Sequence, residues 1–291
     1  MPYFSQVRIN CLADYINEIA SPKNSNNKSS LWYRGHADGS WELLPKVQRN
    51  FDVSFGFEAL CRVERYLTND FQPRACLLNG PKPRLDDYAG WLTLMQHYGL
   101  ATRLLDWSRS PLVALYFAVS DEEFEDKDAC VWILNPYELN RKNELEKKTI
   151  TGEKEYENTF IYNMSHKTIT TMLYTAFKRW ELSENPDAIT PEDYKFNHRF
   201  NTLKDKIAAC YPTEADGRVY NQVAAFTVHN SLQKLVDVCD ENSLMNICIP
   251  KESKMRLREE LSICGITESH IYPDFEHLAK EIEKMYGDLW N

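Results

Sequence analysis

Leu12, Ile16 and Ile19 recur at helical spacing and predict a helix over residues 9–20. The Asn-, Ser- and Lys-rich stretch that follows reads as a loop, so residues 1–30 form an N-terminal helix and loop. Leu31-Trp32-Tyr33 is a brief run of bulky side chains and predicts a strand. Arg34-Gly35-His36-Ala37-Asp38-Gly39 reads as the turn after it. Phe57, Leu60, Val63, Leu67 and Phe71 share one face of a helix that Pro73, with the loop containing Pro81 and Pro83, should end. A second helix over 87–98 closes on Gly99 at its C′ position. Residues 101–107 read as extended, and Ser110-Pro111 opens a helix over 112–120. Residues 129–134, 218–229 and 244–249 read as strands. The stretch 254–264 is a helix stopped by Gly265, and 273–286 is a final helix with Asp274 near the positive end of its dipole.

Residues 137–215 break this pattern. They are polar, rich in Glu, Lys and Asn, and predict a mostly helical insertion. Elsewhere short strands and helices mix without a βαβ rhythm. The expected fold is therefore α+β, a small split or bent mixed sheet with flanking helices, in a single domain over residues 1–291.

Composition narrows the function classes. A chain of 291 residues can bury a sizeable core. It has no apolar run of the roughly 18 residues that a membrane-spanning helix needs, and its first residues do not resemble a secretory signal. A cytoplasmic protein with no membrane partner is expected. The eight cysteines include no Cys-x-x-Cys pair and mostly sit in apolar stretches, which predicts reduced core thiols and no metal site. A net charge of −9 argues against nucleic-acid binding by bulk charge.

Candidate chemistry gathers in two places. Arg34 lies between an aromatic strand and Gly35. A guanidinium there can grip a phosphate or carboxylate bidentately, or pair with a structural carboxylate. Gly35 would let backbone approach a ligand. The second place is Gln96 to Ser108, where polar groups crowd beside strongly apolar neighbours; such crowding is costly unless the groups satisfy one another or bind something. His97 is a candidate base or donor. Arg103 and Asp106 are either a buried ion pair or ligand contacts, and Thr102 and Ser108 are either ligand contacts or caps. Gln222 sits on or near a late strand, with Arg218 and Asn221 beside it. No P-loop, Gly-x-Gly-x-x-Gly or Gly-x-Ser-x-Gly motif is present.

The segments Trp32-Tyr33-Arg34-Gly35, Trp41 to Pro45 with Arg49, Gln96-His97-Tyr98-Gly99, Thr102 to Trp107 and Ser110 to Ala118 together resemble the FRG domain, a family named for its Phe/Tyr-Arg-Gly motif. Ala101 departs from it, because proline is usual there. Many such domains look like parts of bacterial or phage conflict systems. The element order is also similar to the ADP-ribosyltransferase fold. That similarity implies NAD as substrate, with Arg34 on its diphosphate and Tyr33, Gly35, Tyr98, Thr102, Arg103, Asp106 and Ser108 around it. His97 or Tyr98 would orient the nicotinamide side, and Gln222 would meet the ribose. Gln222 stands where a Glu is usual, and an amide cannot stabilise an oxocarbenium-like cation as a carboxylate does. The expected function is an NAD-consuming toxin or defence effector, an ADP-ribosyltransferase or NAD glycohydrolase, acting on a macromolecular target or with a neighbouring defence protein. The alternatives are a non-catalytic ligand-sensing or protein-binding module and, disfavoured by the lack of clustered carboxylates, a nuclease.

Overall fold

Short apolar runs form the strands of a seven-stranded sheet whose central strands are buried on both faces, with helical residues packed on each side. The computed structural model describes residues 7–21, 31–143, 161–165, 169–173, 203–212 and 221–287. The strands are β1 (Trp32–His36), β2 (Leu104–Ser108), β3 (Ala129–Leu134), β4 (Tyr162–Asn163), β5 (Lys206–Tyr211), β6 (Ala224–Asn230) and β7 (Leu244–Ile249). Their order is β4-β5-β6-β2-β1-β3-β7. The β4–β5 pair is parallel and the other pairs are antiparallel. The architecture is thus α+β with a mixed sheet, wider than the small sheet expected.

The pleat divides the core. On one face Leu104, Ala208, Cys210, Phe226 and Val228 pack with Leu92 and Met95. On the same face Tyr33, Val131, Ile133, Ile247 and Ile249 pack with Ala114, Leu115, Leu257 and Leu261. These two clusters lie over the two halves of the sheet and flank the β1–β2 seam. The opposite face carries Trp32, Leu105, Trp107, Trp132, Ile207, Ala209 and Ala225 beneath Leu43, Leu139 and Leu235.

The helices are α1 (Leu12–Ala20), α2 (Gly56–Cys76), α3 (Tyr88–His97), α4 (Pro111–Val119) and α5 (Pro136–Lys142), followed by Lys254–Ile263 and Phe275–Tyr286 among others. Several ends follow the sequence cues. Gly99 has φ +76°, and a Schellman pair closes α3: Gly99 N–H to Gln96 O at 2.9 Å and Leu100 N–H to Met95 O at 2.9 Å. Ser110 caps α4 by accepting from Val113 N–H at 3.4 Å, and Asp274 caps the last helix by accepting from His277 N–H at 3.0 Å.

Four expectations change. Arg34-Gly35-His36 is not a turn; it extends β1, because these residues pair with Trp132, Val131 and Cys130 of β3. Helix α2 continues through Pro73 to Cys76. Its buried positions are Leu60, Cys61, Glu64, Thr68 and Ala75, a face that includes a carboxylate, while Val63 is exposed. Within 137–215 the described residues include α5 and a helical stretch at 169–173, but also β4 and β5, and β5 belongs to the central sheet.

Candidate functional site

The sheet opens beside Arg34. Strands β1 and β2 are neighbours, yet they share only the pair Tyr33–Ser108, whereas β1 pairs with β3 along its whole length. Alternation places Arg34 on the face of Trp32 and Trp132, and Asp106 on the face of Leu104. Where the strands part, the Arg34 guanidinium fills the gap and takes the place of a ladder bond: Nη1 donates to the Asp106 backbone carbonyl at 2.7 Å. The same nitrogen lies 3.9 Å from Asp106 Oδ2. Arg34 Nε donates to His36 Nε2 at 3.1 Å, and its other terminal nitrogen bonds nothing among the described residues. The Arg34 side chain is 16% exposed and that of Asp106 is 50% exposed, so the gap opens to solvent on the Asp106 side.

A relay fixes Asp106 from the helix face. Leu104 N–H donates to Thr102 Oγ1 at 3.1 Å, Thr102 Oγ1 donates to Gln96 Oε1 at 2.6 Å, and Gln96 Nε2 donates to Asp106 Oδ2 at 2.5 Å. Packing raises the Asp106 carboxyl above the usual carboxylate value, against the pull of Arg34 and the Gln96 bond. Burial lowers the Arg34 pKa, and the attraction of Asp106 offsets this only in part. Burial, then the charges of Arg34 and Arg49, hold His36 well below the ordinary histidine range. His36 is therefore neutral at pH 7 and, as acceptor at Nε2, carries its proton on Nδ1.

The sequence-predicted residues divide into several groups. Arg34 and Asp106 meet, with Thr102 supporting Asp106 through Gln96. His97 and Tyr98 follow Gln96 at the end of α3, their rings edge-on at 4.9 Å, with Tyr98 69% exposed. Tyr33 is buried in the cluster that includes Ala114 and Leu115. Gly35 serves the helix and not a ligand: a Cβ there would lie 2.0 Å from the Ala114 carbonyl and 2.6 Å from Ala118 N, so the lack of a side chain lets α4 rest on β1. Ser108 Oγ donates to the Gln222 carbonyl at 2.7 Å and accepts from Ser110 N–H at 2.9 Å, which tie a turn together. Gln222 Nε2 is bonded to the Ile271 carbonyl at 3.3 Å, and Asn221 Nδ2 to the His270 carbonyl at 2.8 Å. Arg218 lies outside the described residues.

Arg103 is the clearest correction. It does not pair with Asp106. Its guanidinium is fully buried, bonded through Nε to Glu64 Oε2 at 2.5 Å, with Cys61 Sγ at 3.3 Å, Asn230 Oδ1 at 3.4 Å and the Phe57 ring 5.3 Å away. Glu64 Oε1 also accepts the Arg103 backbone N–H at 2.7 Å. His36, Gln96 and Arg49 are the members of the site that were not singled out as ligand contacts. The strand-like alternation Arg34-x-His36 is the sequence signal that pairs the first of them with Arg34.

Among the described residues no group of three or more His, Cys, Asp or Glu is placed to hold a metal ion, and no helix is long and apolar enough to cross a membrane. All eight cysteines are free thiols. No curated protein and no solved structure matches the chain significantly. The family model of the FRG domain matches residues 29–127, a stretch that runs from β1 past α4 and includes Arg34, Arg49, Gln96 and Asp106. The chain therefore carries an FRG domain across residues 29–127.

Proposed function

We propose that the opening between β1 and β2 binds NAD through its diphosphate, and that the protein consumes it as an ADP-ribosyltransferase or an NAD glycohydrolase. The observation that carries the proposal is the parted seam with the Arg34 guanidinium inside it, anchored by the Asp106 carbonyl and His36 and retaining an unbonded terminal nitrogen. An Arg held on a strand, desolvated but open on one side, is suited to a phosphate, because its planar fork matches two phosphate oxygens. The central order β6-β2-β1 supports the same proposal: it sets the late strand that follows Gln222 beside the Leu104–Ser108 strand, and that strand beside the Arg34 strand. In the reaction the bond between nicotinamide and ribose breaks, and nicotinamide leaves with the electron pair. Water or a target side chain adds to the ribose carbon and loses a proton. The resemblance to conflict-system domains suggests a toxin or defence effector, with a macromolecular acceptor or a neighbouring defence protein as partner.

One observation favours a second reading, a non-catalytic ligand-sensing module. Gln222 is an amide whose nitrogen is already bonded to Ile271, and no carboxylate accompanies it at that strand end among the described contacts. Incubation with NAD separates the two. Nicotinamide release is expected for the enzyme; an NAD-dependent thermal shift without release is expected for the sensor. Neither release nor shift would remove NAD as the ligand.

A further inference from the structure

The segment Lys46–Arg49 is strapped onto the same opening. Val47 N–H donates to the Thr102 carbonyl at 3.3 Å, Lys46 Nζ to the Gly99 carbonyl at 2.6 Å, and Gln48 Nε2 to the Ser231 carbonyl at 2.8 Å. Val47 and Gln48 are buried, so the short turn Lys46–Gln48 is held by packing as well as by bonds. Arg49 ends this turn. Its backbone N–H bonds Lys46 O at 3.4 Å and its Nε bonds Leu44 O at 3.3 Å, which fixes the root of the guanidinium. Its two terminal nitrogens make no hydrogen bond or ion pair among the described residues, and the residue is exposed. Its charge acts on Arg34, His36 and Asp106 alike.

The bonds to Gly99 and Thr102 hold the turn that carries Arg49 beside the start of β2, the strand whose Asp106 carbonyl anchors Arg34. The local balance is positive in a chain of net charge −9. A single carboxylate needs no more than one guanidinium, and Arg34 keeps one unbonded terminal nitrogen for it. A second fork on a rigid strap suits an anion with two charged centres.

We propose that Arg49 is a second anion-binding residue of this opening and that Arg34 and Arg49 together take a diphosphate, one guanidinium to each phosphate. This rests on the phosphate-binding role proposed for Arg34, but it does not require turnover.

Calorimetric titration of the full chain with inorganic pyrophosphate, orthophosphate and acetate tests it. Pyrophosphate is expected to bind most tightly, orthophosphate about tenfold or more weakly, and acetate least. Arg49→Ala should weaken pyrophosphate binding about 10- to 100-fold, the range for one lost charge-assisted contact, and should leave orthophosphate binding at Arg34 nearly unchanged. The melting temperature should not move, because the Arg49 side chain is exposed. Arg49→Lys should recover only part of the loss, and Arg256→Ala, remote from the opening, should bind as wild type. Wild-type pyrophosphate affinity in Arg49→Ala overturns the inference, as does equal affinity for orthophosphate and pyrophosphate in the wild type. Pyrophosphate binding through both arginines without nicotinamide release would uphold the inference and remove the enzymatic function. Nicotinamide release with pyrophosphate affinity indifferent to Arg49 would do the reverse.

Discussion

Two arginines, one within β1 and one just before β2, show how differently one side chain can be used. Arg103, just before β2, has no solvent exposure, and a carboxylate, a thiol and an amide surround it. Burial alone would lower its pKa, but Cys61 and Glu64 outweigh burial and the net shift is upward. Arg34 on β1 has one carbonyl, one neutral imidazole and a carboxylate 3.9 Å away, and there burial wins. The closed cluster satisfies its charge internally and has nothing left with which to bind a ligand. The open one is left under-compensated, with its free nitrogen in a gap of the sheet. Polar density alone, the feature both segments share in sequence, does not separate a structural ion pair from a binding site. The completeness of the partner set does.

Removing half of the closed cluster should have the largest effect. Glu64→Ala leaves a buried guanidinium without its carboxylate, at a cost of about 3–5 kcal/mol, or roughly 6–20 °C in melting temperature if the chain unfolds as one unit. Glu64→Leu with Arg103→Met removes both charges and should cost much less. If Glu64→Ala melts like the wild type, the distinction between closed and open clusters fails. The open cluster should respond in the opposite sense. Arg34→Ala should lower ligand affinity or rate by about 2–4 kcal/mol, roughly 30- to 1000-fold, with a small change in melting temperature. Arg34→Lys should not restore it, because a point charge lacks the fork. Activity per folded molecule in the two variants is the measurement. An active Arg34→Ala would make Arg34 structural as well.

Histidines on the Arg34 face provide a third comparison, through pH. His229 is fully buried with Nε2 3.0 Å from Thr227 Oγ1, and burial lowers its pKa to about 3; His36 shifts in the same direction. A histidine whose folded pKa lies below its unfolded value of about 6.5 binds fewer protons when folded. Stability is therefore fully present above that value and falls as acid protonates the unfolded chain. Between pH 7.5 and pH 5 His229 should cost about 2 kcal/mol, and His36 adds to the loss in the same direction. Urea unfolding at pH 7.5 and pH 5 should show the drop, and His229→Gln should shrink it by about 2 kcal/mol. An undiminished drop in that variant would place the acid sensitivity elsewhere.

How much was legible in the sequence varies with the range of the interaction. The α3 and Lys254–Ile263 ends were read from Gly99 and Gly265, whose positive φ is a local property. Strands β3 and β7 were read from their apolar runs. Glu64 was not: a carboxylate on an amphipathic helix ordinarily marks the wet face, and only a partner 39 positions away turns it inward. The pairing of Arg34 to His36 with β3 was missed for the same reason, since Gly35 in isolation signals a turn and only the nearby α4 backbone explains its presence in a strand. Of the site, Arg34 was singled out by its place between an aromatic strand and Gly35, and Asp106 by the crowding of polar groups in Gln96 to Ser108. His36 follows from strand alternation once Arg34 to His36 are seen to extend β1, whereas the Gln96 bond to Asp106 is a tertiary contact.

The smallest expected effect concerns the relay that joins the closed core to the open cleft. Thr102 is fully buried, and its hydroxyl both accepts from Leu104 N–H and donates to Gln96 Oε1. Gln96 in turn holds Asp106 Oδ2. Thr102→Val keeps the shape and removes the hydroxyl, so the Leu104 N–H and the Gln96 carbonyl lose their partner. The cost should be about 1–3 kcal/mol in stability, the range for leaving buried polar groups unmade. Thr102→Ser keeps both bonds and loses one methyl, so it should cost about 1 kcal/mol. The two variants should part on binding. Without Thr102 the Gln96 amide can rotate, and Asp106 keeps only the distant attraction of Arg34; pyrophosphate affinity in Thr102→Val should change by about 3- to 10-fold, that is, by up to about 1.4 kcal/mol. Thr102→Ser should bind as the wild type does. Equal binding by both variants, with only stability altered, would confine the relay to the closed core and leave the Arg34 opening independent of it.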